Sequence, residues 1–150
     1  MRVVIQRAGR ASLTADGQFR GEMSRGLVVL LGIAEGDTEE DVQWLTRKTA
    51  QLRIFNDEKG VMNRSVLDIA GKIMLVSQFT LHASTRKGNR PSYIKAAGHE
   101  LAVPLYEAFA KRLRDEYGLE VITGIFGAHM EVSLVNDGPV TILIDSKEKW

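Results

Sequence analysis

Cysteine is absent from the chain, so disulfides, thiolate nucleophiles and cysteine-based metal sites are excluded by inventory, an absence that fits the cytoplasm. No apolar run approaches the roughly 18 to 20 residues that a bilayer-crossing helix needs. Residues 1–10 read as a strand carrying Arg2, Arg7 and Arg10, unlike the apolar core of a secretory signal, so no membrane partner is expected. Charge excess is missing too: the formal net charge is +1, and a nucleic acid would have to be drawn by local clusters of Lys and Arg. Proline is scarce, with three in 150 residues, which makes each position informative.

What remains is an ordinary globular composition, 44% hydrophobic and 26% charged. A chain of this length buries about two-thirds of its unfolded surface in one core. With no repeat, linker or low-complexity stretch, residues 1–150 are expected to form a single domain. Residues 2–8 and 12–14 have strand character, and Ala15-Asp16-Gly17-Gln18 supplies the turn chemistry that joins strand to strand. Residues 26–34 are apolar on both faces, as in a central strand covered on two sides. Asp37-Thr38-Glu39-Glu40 has capping-box spacing, and Val42, Leu45, Thr49 and Leu52 mark one face of a helix over about 38–52. Residues 56–63 read as a loop or hairpin tip.

Residues 73–83 read as a strand that begins buried and turns polar. A second helix comes next, with Leu101, Leu105, Phe109 and Leu113 on one face, Pro104 in its first turn and Gly118 at its end. Strands are expected at 121–126, 130–135 and 140–145, and a loose tail at 146–150. Strands outnumber helices, and each helix has one apolar face. The expected architecture is therefore α+β: a curved mixed sheet or partial β-barrel with two helices packed outside.

Two segments carry the chemistry. On a strand, Ser77-Gln78-Phe79-Thr80-Leu81 places Gln78, Thr80 and His82 in one row, although satisfied core hydroxyls would read the same way. Asn136-Asp137-Gly138-Pro139-Val140-Thr141 has the composition of a hairpin turn, but Pro139 cannot donate to a ladder. A bond to proline is also one of the few places where a cis peptide is cheap. A cis Gly138-Pro139 bond would turn two carbonyl oxygens the same way, where they could accept from an ammonium group.

These two segments, in this order, resemble the signature motifs of the D-aminoacyl-tRNA deacylase family. The resemblance extends to Met1-Arg2-Val3-Val4-Ile5-Gln6-Arg7, Gly32, Lys87-Gly88-Asn89-Arg90-Pro91 and Gly127-Ala128-His129-Met130. It implies an ester hydrolase that frees D-amino acids from mischarged transfer RNA, accepts glycyl-tRNA and rejects L-aminoacyl esters by steric exclusion, as chiral proofreading in translation. It further implies a homodimer in which Gly138 and Pro139 of one chain are inserted beside Ser77 to Leu81 of its partner. Ser77, Gln78, Phe79 and Thr80 are then the catalytic segment, and Gly138, Pro139, Val140 and Thr141 the substrate-binding one. Backbone N–H groups around Phe79 and Thr80 are the natural candidates for oxyanion donors, and the resemblance favours water activated with help from the RNA's own terminal ribose hydroxyl. A competing route makes Thr80 a nucleophile with His82 as its base.

Arg86, Lys87 and Arg90, with Lys95 beyond, are the candidate phosphate contacts, next to the catalytic segment. No cofactor is implied. His99 and His129 lie outside any metal-ligand spacing and read as plain surface or core histidines, and Trp44 and Trp150 receive no role. Other readings are a nucleic-acid-binding module without catalysis, a hydrolase of small acyl esters, and a structural dimer.

Overall fold

A computed structural model describes residues 1–149; Trp150 lies outside the described residues. Strand β1 (Arg2–Ala15) runs through the whole molecule and turns at Asp16-Gly17 into β2 (Gln18–Met23), with β3 (Gly26–Gly32) after it. The first half of β1 pairs antiparallel with β3 and the second half with β2. After helix α1 (Glu39–Gln51), the short pair β4 (Phe55–Asn56) and β5 (Met62–Arg64) forms the hairpin expected near 56–63. Strand β6 (Lys72–Ser77) lies parallel to β3, and β7 (Val121–Thr123), reached through helix α2 (His99–Tyr117), lies parallel to β6. Arg20 Nε of β2 donates to Thr123 O at 3.2 Å, which brings the sheet's two ends together. The result is the nearly closed mixed sheet, with two helices outside, that the residue pattern anticipates.

Strand β3 explains the closure. Its alternate residues Leu27, Val29 and Leu31 join the helix-covered core with Val42, Leu45, Phe109 and Leu113. Val28 and Leu30 face inward with Leu13, Met74 and Val76, filling the barrel interior. One strand thus serves two cores, which is why it is apolar on both faces.

Four expectations shift. Strand β8 (Met130–Asp145) is one strand and not two, pairing with β1 along its length, while residues 137–140 bulge out between Ala8↔Asn136 and Gln6↔Thr141. The Asn-Asp-Gly-Pro string therefore interrupts a strand without reversing it. Thr38 caps α1 instead of Asp37, its N–H donating to Asp41 Oδ2 at 2.8 Å. Asp37 is used elsewhere, accepting from the amino group of Met1 at 2.6 Å and from Ala34 N at 2.7 Å. Pro104 sits in the second turn of α2, on its exposed side, where water can satisfy the carbonyl that loses its helical donor. Finally, the expected loose tail begins held, since Ser146 is buried and its Oγ accepts from the Met1 amino group at 3.0 Å, while Trp150 lies outside the described residues.

Candidate active site

Strand β6 ends at Ser77, and Phe79–His82 coil into a single 3-10 turn where the sequence suggested continued strand. The cause is local. Gln78 donates its N–H to Leu31 O at 2.8 Å, the last ladder bond, and beyond it β3 ends at Gly32. A Cβ at Gly32 would approach Gln78 O at 3.0 Å and Leu81 Cβ at 2.9 Å, so only glycine lets the turn fold against the strand. The coil breaks the expected row of Gln78, Thr80 and His82.

The consequence for chemistry is direct. The Gln78 side-chain amide donates to the Thr80 hydroxyl, and no hydrogen bond joins Thr80 to His82. His82 is 7% exposed, packs near Gly32, leaves Nε2 without a partner, and burial lowers its pKa below the usual imidazole value. Its position is that of a core histidine. The N–H groups of Phe79 and Thr80, at the start of the 3-10 turn, donate to no acceptor among the described residues.

Beside this turn opens a cavity of about 700 Å³. Ser77, Gln78 and Phe79 form one wall, Tyr93 and Ala96 to His99 a second, and Phe126 to Met130 with Val132 a third. His99 stands edge-to-face against Phe126 at 5.3 Å, as does Tyr106 at 5.8 Å. Sequence reasoning placed neither His99 nor His129 at a site, yet both line the cavity. The signal available was Gly127-Ala128-His129-Met130; Tyr93, Ala102 and Phe126 converge only through tertiary structure. Among the described residues no three His, Asp or Glu side chains gather as a metal site.

The Gly138-Pro139 peptide, whose isomer the sequence left open, is cis. The bulge that carries it is tied down from within: Asn136 Oδ1 accepts from Val140 N at 2.9 Å, and Asn136 Nδ2 donates to Thr141 Oγ1 at 3.0 Å. Arg7, buried to 8% exposure, donates from Nε to Asp137 O at 2.8 Å and from a terminal nitrogen to Ile54 O at 2.6 Å. Asn136 and Arg7 stand in motifs that the sequence reading quoted, but neither was given a role there. Val140 is half-buried against the main core and Thr141 is held by Asn136, so both shape the bulge. Gly138 and Pro139 are exposed and line no part of the cavity.

Arg86, Lys87 and Arg90 lie exposed on a loop whose base is closed by backbone bonds between Ser84 and Ser92 at 2.8 and 2.9 Å. Among the described residues none of them, nor Lys95, forms an ion pair.

A nearly closed mixed barrel with a cavity at the end of a central strand, and a proline-bearing bulge on an edge strand, defines the deacylase class of fold. Residues 4–145 match the family described as D-Tyr-tRNA(Tyr) deacylase, and the chain belongs to that family. It is 58% identical to a D-aminoacyl-tRNA deacylase of Flavobacterium johnsoniae and 56% identical to one of Bacteroides thetaiotaomicron, each over 99% of both chains. Among solved structures it resembles a c-Myc DNA unwinding element binding protein, with a TM-score of 0.90, 42% identity and coverage of 97% and 98%. A probable eukaryotic D-amino acid tRNA deacylase shares the fold, with a TM-score of 0.82 at 17% identity over 95% and 97%.

Proposed function

We propose that this chain, folded as one cytoplasmic domain, hydrolyses the ester of D-aminoacyl-tRNA and of glycyl-tRNA while rejecting L-aminoacyl-tRNA, as a chiral proofreading enzyme of translation. The observation that carries the mechanism is the separation of the two signature segments: Gly138 and Pro139 stand exposed, outside the cavity that Ser77, Gln78 and Phe79 line. A site built from both segments needs a second copy. Strand β8 supports this: it is 16 residues long, pairs only with β1 among the described residues, and exposes Val135 and Leu143, an edge open to a two-fold contact.

In that dimer the Gly138 and Pro139 carbonyl oxygens of one chain accept the substrate's α-ammonium at the partner's cavity. With the acceptors fixed, a D-residue directs its side chain away from protein and an L-residue directs it into a wall. The Phe79 and Thr80 N–H groups bind the developing oxyanion. Gln78 occupies the Thr80 hydroxyl, which favours attack by water assisted by the terminal ribose over a Thr80 nucleophile. Arg86, Lys87 and Arg90 contact phosphates of the acceptor end.

The test compares release of amino acid from D-tyrosyl-tRNA, L-tyrosyl-tRNA and a simple tyrosine ester. Turnover confined to the D-ester on RNA is expected. Equal turnover of both tyrosyl-tRNAs would refute chiral rejection, and turnover of the free ester alone would indicate a small-ester hydrolase. The name of the DNA unwinding element binding relative favours a second reading, a nucleic-acid-binding module without catalysis, which predicts binding with no turnover of any of the three.

A further inference from the structure

Phe79 and Tyr93 meet edge-to-face, with centroids 5.0 Å apart and planes at 73°. Such a pair ordinarily stabilises by being buried, yet Phe79 is 54% exposed and Tyr93 38%, beside Ile94 at 86%. An edge-to-face pair covers one face of one ring and leaves the others uncovered by the pair, and both rings reach solvent while contributing to the cavity's wall. The Ser84–Ser92 closure folds the chain back, so that the loop of Arg86, Lys87 and Arg90 projects from between the two aromatic segments. Open aromatic faces beside cations without ion-pair partners suit an unpaired nucleic-acid strand, whose bases stack while its phosphates meet the cations. A protein partner would need a larger apolar surface and acidic groups to match.

We propose that Phe79 and Tyr93 form a stacking platform for the unpaired nucleotides immediately preceding the terminal adenosine of the transfer RNA. The proposal rests on the deacylase reading: the terminal nucleoside and amino acid occupy the cavity, so what reaches its edge is the next part of the same strand. Tyr93 is the cleaner probe of the two. Its backbone O accepts from Ala96 N at 2.9 Å whatever the side chain, so the turn does not depend on the ring.

The experiment measures kcat and KM for three substrates sharing D-tyrosine: D-tyrosyl-adenosine, the D-tyrosyl trinucleotide ending cytidine-cytidine-adenosine, and D-tyrosyl-tRNA. Tyr93→Ala should reduce the preference for the trinucleotide over the adenosine ester about tenfold, through KM and not kcat, while Tyr93→Phe should keep it. An unchanged preference in Tyr93→Ala overturns the platform. Equal loss on both substrates, with dissociation of the dimer on size exclusion, also overturns it and assigns the rings to a second copy. If the native protein prefers neither substrate over the other, the platform alone fails; if it hydrolyses none of the three, the deacylase reading fails with it.

Discussion

At Gly138 a Cβ would stand 2.7 Å from both Val140 Cγ2 and Val140 N and 3.3 Å from Arg7, at a φ of +145° that side-chain-bearing residues rarely adopt. Gly138→Ala must therefore displace the bulge, and kcat/KM on D-tyrosyl-tRNA should fall by about 100-fold, the scale of a 1 Å misplacement. Thr80→Ala should behave differently. With its hydroxyl held by Gln78 and not by His82, its loss should leave turnover within about tenfold of the native rate, far from the roughly million-fold loss that removing a nucleophile can cost. Near-total loss in a folded Thr80→Ala protein would restore the nucleophile. The two signature strings were legible residue by residue. What holds them was not, because Arg7 and Asn136 act through contacts that only folding creates; Arg7 lies 130 positions from Asp137.

Among elements, helix α1 offers a pH test. Burial alone would raise the pKa of Asp41, but hydrogen bonds from Lys147, Ser146 and the Thr38 backbone outweigh it and lower the value to about 2. A folded pKa below the unfolded one means stability that is present above about pH 4 and lost as pH falls toward 2. Acid titration of unfolding should lose part of this slope in Asp41→Asn, which should also cost ~1 kcal/mol at neutral pH by weakening the cap. Helix α2 is fixed to β6 by the Tyr106 hydroxyl, which donates to Leu75 O at 2.8 Å. Tyr106→Phe should cost about 1 to 3 kcal/mol in urea unfolding, because the carbonyl is left buried and unpaired. Helices and the two-faced strand β3 were readable from periodicity, since their burial tracks their local pattern. The 3-10 turn and the single, bulged β8 were not: the first depends on β3 ending beside Gly32, and the second on β1 being long enough to pair across a four-residue bulge.

For the whole molecule, near-neutral net charge and a cavity lacking half of its expected parts lead to one arrangement. In the proposed reading, RNA is met by a local basic loop, and the carbonyl oxygens absent from the cavity are supplied by a neighbouring chain across β8. The architecture itself was legible, since a count of strands and one-faced helices suffices for a curved sheet with two helices outside. The proposed shared site was legible only through the resemblance carried by the two signature segments, because no periodicity records which copy of a chain a loop serves.

Subunit mixing tests this most directly. Gly138→Val displaces the carbonyl-bearing bulge, and Ser77→Phe fills the cavity; each variant alone should be inactive on D-tyrosyl-tRNA. Unfolded together and refolded as a mixture, they should regain roughly a quarter of native activity, since half of the dimers would carry one intact composite site. Mixed dimers with no recovered activity would contradict a site shared between chains.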